Sequence, residues 1–369
     1  MKNLMVAKSS VLVRAAFFFF TLIFSALTLA CHKASVASEQ ERIKQAEQRA
    51  IYEYVRALPD DQKISQLFLV NVDGNTDFAP VEKTGALYGN DDDGEPLVPG
   101  GCLLFSYNIA DAPEKIAAYT ASIRRFYAEH GIVPPYVAID QEGGYVNRLR
   151  GITSNLVSQK KVTEWFNPSR AHDLYAAQAK QLRLLGIQMN LAPVVEVETP
   201  ENAAFLDTRS FGDRDHVLAY GKAAILAYEE NGVVTVLKHF PGNTNVDPHT
   251  GLPHVALSAD DVEPYIAPFT ALAPFSSAVL MSHIVATVRG EGTETYAYNV
   301  TEATSVPACF SSFWLNRARN GFDGLIFSDD IFMGALSDNG YHPEVAVVSA
   351  IEAGVNCIML SGKQFGSVA

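Results

Sequence analysis

Eight short apolar segments recur along the chain, and their rhythm constrains the fold more than any other feature. They begin 33 to 50 residues apart, with helix-like stretches between them. Near-continuous hydrophobicity is typical of parallel strands buried on both faces, and eight repeats of strand and helix favour a closed barrel. The sequence therefore predicts an α/β fold of the (β/α)8 TIM type, with a doubly wound open sheet as the alternative. The apolar segments are 66–72, 101–106, 136–140, 186–192, 233–238, 278–283, 324–329 and 357–361, and the clearest helical stretches are 114–130, 169–185, 215–231 and 344–353.

The last apolar segment lies close to the end of the sequence. Only eight residues follow it, fewer than a barrel helix requires. We therefore expect a barrel that is truncated after its eighth strand in the sequence given. An apolar strand without a covering helix tends to pair with other chains, so this expectation concerns stability as well as architecture.

Residues 1–31 have the pattern of an export leader. Three basic residues precede a run without charge at 15–30, and Cys31 follows that run. A basic start and an apolar core are typical of a signal peptide. Ala30 and Cys31 also resemble a bacterial lipoprotein cleavage site, which would place a lipid on Cys31. A cleaved signal peptide and an uncleaved membrane anchor are the alternatives. All three predict an exported protein, either periplasmic or attached to a membrane.

Composition bounds the rest of the chain. Residues 32–58 are rich in Ala, Glu, Gln, Lys and Arg, which predicts a helical spacer, and the length of 59–369 suits one large domain. The formal net charge of −13 argues against nucleic acid or anionic lipid as a partner. Beside Cys31 there are three cysteines, in or beside apolar stretches, and the sequence has no CxxC or HExxH motif. We expect no disulfide framework, no metal and no cofactor.

Polar clusters follow four of the eight predicted strands. Active sites of (β/α)8 barrels form at the carboxyl ends of the strands, so these clusters are predicted to converge on one site. They comprise Asp140 to Glu142, Lys238 and His239, Ser282 and His283, and Ser328 to Asp330.

The loop after the fifth strand carries an acid and a histidine two positions apart. Pro248 disfavours the α region for Asp247, and in extended chain Asp247 and His249 point to the same side. A carboxylate beside an imidazole fixes its tautomer and raises its basicity, as proton transfer near neutral pH requires. The alternative is a solvated ion pair worth less than about 1 kcal/mol. The loop is long enough to act as a lid that closes over a substrate.

The ordered motifs of the chain resemble family 3 of the glycoside hydrolases, and within it the single-barrel β-N-acetylglucosaminidases. The resemblance implies a retaining enzyme that removes terminal non-reducing N-acetylglucosamine from peptidoglycan fragments, muropeptides or chitooligosaccharides through a glycosyl-enzyme intermediate. The matching pieces are ISQLFLVNVDG (64–74), PGGCLLFSYN (99–108), IDQEGGYVNRL (139–149), NLAPVVEV (190–197), RSFG (209–212), KHFPG with its trailing D-x-H (238–249) and IFSDDIFMGA (326–335).

The resemblance also implies roles for individual residues. Asp329 matches the nucleophile, and His249 matches the general acid/base with Asp247 as its partner. Retention requires a carboxylate that attacks the anomeric carbon and a group that protonates the leaving oxygen. Asp330 competes with Asp329, and since successive strand residues face opposite ways, we expect only one of them in the barrel mouth. Five residues match sugar-binding positions: Asp140, Arg148, Arg209, Lys238 and His239.

Two departures from the family pattern bear on substrate range. Residues 243–245 read Asn-Thr-Asn where the family often has His-Gly, and Glu196 stands where an Asp is common. Three alternatives to the hydrolase remain. They are a β-N-acetylglucosaminide phosphorylase, a β-glucosidase, which the D-x-H loop disfavours, and a non-catalytic sugar-binding lipoprotein.

Overall fold

The computed structural model describes residues 39, 41–78, 98–153, 155–289 and 294–361. The predicted leader at 1–31, its Cys31 and the segment after Ser361 lie outside these residues, and so do the expectations of lipidation and of truncation after the eighth strand.

The chain divides into two units, Met1–Lys63 and Ile64–Ala369. In the first unit, residues 41–57 are helical, within the region where the sequence predicts a helical spacer. In the described part of the chain, no helix combines the length and the hydropathy that crossing a bilayer requires.

Eight parallel strands of the second unit close into a barrel, as the sequence predicts, and the open-sheet alternative is wrong. The strands in chain order are β1 (Phe68–Asn71), β2 (Gly101–Leu104), β3 (Tyr136–Ile139), β4 (Gln141–Gly143), β5 (Val146–Asn147), β6 (Met189–Asn190), β7 (Val234–Phe240), β8 (His254–Leu257), β9 (Ala278–Met281), β10 (Val285–Val288), β11 (Leu325–Asp330) and β12 (Cys357–Leu360). The barrel order is β1, β12, β11, β9, β7, β6, β3 and β2, with β2 returning to β1. Each predicted apolar segment overlaps one barrel strand, although β7 and β11 extend past the predicted ends to Phe240 and Asp330.

Helices fill the connections between the strands. Several begin at a proline, whose fixed φ and missing N–H suit the first helical turn. Capping side chains also mark helix starts: Asn167 Oδ1 accepts from Arg170 N at 3.0 Å before the helix that begins at Pro168, and Asp213 Oδ1 accepts from His216 N at 2.9 Å. The helices are Asp60–Ser65, Pro113–Glu129, Gln159–Trp165, Pro168–Leu184, Ala203–Leu206, Arg214–Glu229, Val262–Leu272, Glu294–Thr304, Ser312–Arg319, Gly334–Ser337 and Pro343–Ala353.

Two small sheets decorate the carboxyl end of the barrel. β4 pairs with β5 in an antiparallel hairpin, and β8 pairs with β10 in parallel. The sequence predicts neither, because both lie in the loops that follow barrel strands. Together they shape the rim around the barrel mouth.

The core has two layers, one inside the barrel and one between the barrel and its helices. Alternate strand residues face opposite sides, so Leu69 belongs to the interior cluster and Val70 to the outer one, and both are fully buried. Burial of both faces explains why each strand is apolar almost throughout. The interior cluster comprises Leu69, Leu103, Ala138, Met189, Leu191, Val236, Ala278, Leu280, Phe327, Cys357 and Met359.

We expect Phe327→Ala to lower the free energy of unfolding by about 3–5 kcal/mol, because it removes a fully buried ring that packs edge-on against Tyr136. Leu325→Ala is the matched control on the same strand, since Leu325 is 44% exposed and should cost less than about 1 kcal/mol. Urea unfolding of the two variants measures the difference. Equal losses would contradict the interior placement of Phe327.

Candidate active site

The carboxyl ends of the barrel strands surround a cavity of about 310 Å³. Four members of the interior cluster line it and form an apolar floor: Leu103, Leu191, Leu280 and Met359. Seven of the eight residues that the sequence nominates for catalysis or sugar binding also line it: Asp140, Arg148, Arg209, Lys238, His239, His249 and Asp329. The eighth, Asp247, hydrogen-bonds to His249. The predicted convergence of strand ends therefore holds for this set.

A network of two carboxylates and three cations forms one side of the cavity. Lys238 Nζ lies 2.5 Å from Asp140 Oδ1 and 2.6 Å from Glu142 Oε1. Arg209 binds Glu142 with two parallel hydrogen bonds of 2.8 Å, and Arg148 Nη2 lies 3.3 Å from Asp140 Oδ2. Bidentate pairing fixes the plane of the guanidinium group. The network therefore presents cations in defined orientations at the cavity wall.

Glu142 is the centre of this network. Of the cluster Asp140 to Glu142, however, the sequence analysis nominates only Asp140 for sugar binding. Burial raises the pKa of Glu142, but the charges of Arg209 and Lys238 outweigh burial and hold that pKa well below its usual range. Burial likewise lowers the pKa of Lys238, and the two carboxylates more than restore it. The sequence feature that could have identified Glu142 is its position, two residues after Asp140 and just beyond the end of β3.

Two aromatic rings support the arginines of the cavity. The guanidinium carbon of Arg148 lies 5.3 Å from the ring centroid of Phe105, and that of Arg209 lies 5.5 Å from the centroid of Phe205. Both rings line the cavity. Cation–π contacts of this kind stabilise the cation and limit its rotamers. Neither ring is among the residues that the sequence analysis nominates for the site.

Glu196 replaces the Asp that is common in the family after the fourth barrel strand, and its side chain contacts His239. Its Oε1 lies 2.7 Å from His239 Nδ1 and also accepts from Asn243 Nδ2 at 3.3 Å. Glu196 is buried behind the cavity, whereas His239 lines it. The carboxylate therefore orients the imidazole, whose other nitrogen remains for a ligand.

Both Asp329 and Asp330 line the cavity, so the expectation that only one of them reaches the barrel mouth is wrong. The register of β11 against β12 shifts between Phe327 and Asp330, which breaks the simple alternation of sides. The two carboxylates differ in their partners. Asp330 accepts from Phe332 N, from Ser361 N and from the Ser361 hydroxyl. Asp329 Oδ1 accepts from Asp330 N at 2.8 Å.

Burial raises the pKa of Asp330, and its hydrogen bonds only partly offset that effect. A carboxylate whose lone pairs are committed to three donors is a poor nucleophile. Asp329, with a single donor among the described residues, is the freer carboxylate of the pair.

The Asp247–His249 pair has the arrangement that the sequence predicts. Asp247 Oδ1 lies 2.7 Å from His249 Nδ1 and accepts from His249 N at 2.9 Å. Burial raises the pKa of Asp247, but the two hydrogen bonds from His249 and the charges of His249 and Arg209 together outweigh it, so that pKa lies below its usual value. An ionised Asp247 selects the tautomer with the proton on Nδ1, which leaves Nε2 of the neutral ring free as a base.

The segment 241–253, here called the His249 loop, brings this pair to the cavity. Pro248 O accepts from Ala335 N at 2.9 Å, next to the short helix that follows β11. A Cβ on Gly334 would lie 2.5 Å from His249 O, so only glycine permits this approach. The loop therefore sits across the barrel mouth, with His249 and Asp329 on the same cavity.

His283 does not contribute to the cavity, although it ends a barrel segment. Its Nε2 lies 2.9 Å from Asp330 O and its Nδ1 lies 3.3 Å from Cys309 Sγ. The side chain is fully buried. His283 supports the backbone of β11, so the expectation that the Ser282–His283 cluster joins the site with the other three clusters is wrong.

We expect Glu142→Gln to lower the free energy of unfolding by about 3–5 kcal/mol at pH 7, because it leaves the buried Arg209 without its anion and Lys238 with Asp140 alone. The folded-state pKa of Glu142 is depressed, so its contribution is complete above the unfolded pKa of about 4.3 and declines as the pH falls below it. The difference between wild type and variant should therefore shrink below about pH 4.

Urea unfolding between pH 7 and pH 3 measures this difference. Glu198→Gln is the control, since Glu198 forms a partly exposed ion pair with Lys160 and should cost under about 1 kcal/mol at any pH. A loss that did not depend on pH would contradict the electrostatic account of Glu142.

Comparisons with known proteins give the same family as the motifs. Residues 61–368 match the model of the glycosyl hydrolase family 3 N-terminal domain. Beta-hexosaminidase A of Pseudoalteromonas piscicida is 29% identical over 276 residues, which cover 71% of this chain and 45% of that protein. The beta-hexosaminidase of Psychromonas ingrahamii is 32% identical over 288 residues, covering 74% of this chain and 78% of that protein.

A solved structure adds the match in three dimensions. The glycoside hydrolase family 3 beta-N-acetylglucosaminidase from Paenibacillus sp. str. FPU-7 superposes with a TM-score of 0.71 at 27% identity, covering 85% of this chain and 57% of that chain. The present chain thus spans about half the length of these two larger relatives. Because the family model extends over the barrel from β1 to β12, the chain belongs to glycoside hydrolase family 3.

Proposed function

We propose that this protein is a retaining β-N-acetylglucosaminidase that removes terminal non-reducing N-acetylglucosamine from peptidoglycan fragments or chitooligosaccharides. One observation carries the proposal: Asp329 and the His249–Asp247 pair lie on the same cavity at the carboxyl end of the barrel. The relatives named as beta-hexosaminidases and beta-N-acetylglucosaminidase support the choice of sugar.

In the first step, the Asp329 carboxylate attacks the anomeric carbon while protonated His249 donates its proton to the leaving glycosidic oxygen. The glycosidic bond breaks, the aglycone leaves as an alcohol, and a glycosyl ester of Asp329 remains. Asp247 holds the imidazole in place and stabilises its protonated form.

In the second step, neutral His249 takes a proton from water, and the resulting oxygen attacks the anomeric carbon. The ester bond breaks and Asp329 returns as a carboxylate. Two displacements at one carbon retain its configuration. A neutral histidine adds no negative charge beside the glycosyl ester, in contrast to the second carboxylate that most retaining glycosidases use.

Sugar hydroxyls are held by the charged side of the cavity. Arg148, Arg209 and Lys238 donate hydrogen bonds, and Asp140 accepts them. An array of fixed donors and acceptors discriminates strongly against analogues that lack a hydroxyl. The cavity volume of about 310 Å³ is at the lower end for ligand sites, which suits one terminal sugar.

We further propose that the chain works outside the cytoplasm. The basic start, the apolar run and Cys31 of the leader support export, with attachment to a membrane through a lipid on Cys31 or through an uncleaved anchor. Such a location would give the enzyme access to peptidoglycan fragments.

The purified protein should release the aryl alcohol from an aryl β-N-acetylglucosaminide much faster than from the matching β-glucoside. Asp329→Ala should abolish turnover, and His249→Ala should reduce it by about 10²- to 10⁴-fold on a substrate with a poor leaving group. Sugar 1-phosphate formed only in the presence of phosphate would instead indicate a phosphorylase. A folded protein with no turnover would leave sugar binding as its function.

A trapping experiment should identify Asp329 as the nucleophile. A 5-fluoro analogue of the N-acetylglucosaminyl donor slows the second step, so the glycosyl ester accumulates and mass spectrometry locates it. We expect the label on Asp329 and its loss in Asp329→Ala. A label on Asp330 would reverse the assignment of the two carboxylates.

A further inference from the structure

We propose that Asn245 is a positioning residue that ties the His249 loop to the sugar-binding wall of the cavity. This inference rests on the function proposed above and concerns a residue outside the nominated catalytic set. Asn245 lies in the Asn-Thr-Asn stretch where this chain departs from the family pattern.

The side chain of Asn245 bridges two ends of one backbone segment. Its Nδ2 donates to Pro200 O at 2.9 Å, and its Oδ1 accepts from Ala204 N at 2.8 Å and, more weakly, from Phe205 N at 3.4 Å. These partners lie 40 to 45 residues away in sequence, although Asn245 is an exposed loop residue. Every polar atom of the side-chain amide group is thus engaged with this segment.

The bridged segment leads directly to the cavity wall. Phe205 lines the cavity and supports the guanidinium of Arg209, which in turn binds Glu142. Asn245 therefore connects the loop that carries the proton donor to the residues that are proposed to hold the sugar. A shift of one would be transmitted to the other.

A second hydrogen bond holds the loop directly before His249. Pro248 O accepts from Ala335 N at 2.9 Å, next to the Gly334 backbone that packs against His249. The two contacts attach the loop to different parts of the structure, one to the segment 200–205 and the other to the short helix that follows β11. Without Asn245, the residues that lead to His249 would lose their hydrogen bonds to the segment 200–205.

Misplacement of a proton donor mainly affects protonation of the leaving oxygen. Protonation of the leaving oxygen matters most for a poor leaving group, such as the sugar hydroxyl of a chitooligosaccharide, and least for an activated aryl group. An error of about 1 Å in a catalytic group costs roughly 10²-fold. The loss of turnover caused by removing the Asn245 side chain should therefore be larger for substrates with a poor leaving group.

The test compares Asn245→Ala with Asn245→Asp on diacetylchitobiose and on a nitrophenyl β-N-acetylglucosaminide. Asn245→Ala should lower kcat/KM on diacetylchitobiose by about 10- to 100-fold and on the aryl substrate much less. Asn245→Asp keeps the acceptor for Ala204 N and should lose less. Val246→Ala is the matched control, since Val246 is the next residue of the loop and is exposed.

A double variant separates positioning of His249 from a general loss of structure. In the His249→Ala background, Asn245→Ala should cause little further loss, because the group that it positions is already absent. Equal losses in both backgrounds, or wild-type turnover of diacetylchitobiose by Asn245→Ala, would overturn the proposal.

Hydrogen exchange tests the tie without any turnover. The Ala204 amide should exchange faster in Asn245→Ala than in the wild type or in Val246→Ala. If the wild type hydrolyses neither substrate, the proposed function has failed, and exchange at Ala204 still decides whether Asn245 holds the loop. Unchanged exchange there would overturn the proposal on its own.

Discussion

Burial of both faces of a closed parallel sheet is the constraint on which the rest of the structure depends. Inside the barrel and beneath the helices there is no place for an unpaired charge. Polar residues are therefore displaced to the ends of the strands, and parallel order brings the carboxyl ends together at one side. The cavity is where β3, β7 and β11 leave the core, and its apolar floor is the last layer of that core.

On the charged side of the cavity, buried cations are neutralised by nearby carboxylates. Lys238 and Arg209 are almost enclosed, and charges in that position require partners. Glu142, which is fully buried, pairs with both cations, and Asp140 is shared between Lys238 and Arg148 at the accessible surface. A ligand thus meets cations whose positions are already set by the protein, and little reorganisation accompanies binding.

The fold and the end of the barrel that carries the site followed from patterns that are local in sequence, whereas the roles of individual residues came from the family resemblance. Strand and helix alternation predicted the barrel, and the position of polar clusters after strands predicted the side on which residues converge. The sequence did not predict how adjacent residues differ in orientation and hydrogen bonding. Asp329 and Asp330 were expected to face opposite sides, but a register shift in β11 places both on the cavity. Glu142, Phe105 and Phe205 were missed because their roles depend on partners that are distant in sequence.

Ser361 connects the closure of the barrel to the difference between Asp329 and Asp330. This residue follows β12, the strand that closes the barrel against β1, and it gives Asp330 two of its three donors. Asp330 is thereby engaged by the residue that follows the closing strand, whereas Asp329 accepts only from Asp330 N among the described residues. The difference between the two carboxylates therefore depends on closure of the barrel. A change that displaced β12 or Ser361 would remove the hydrogen bonds that distinguish Asp330 from Asp329.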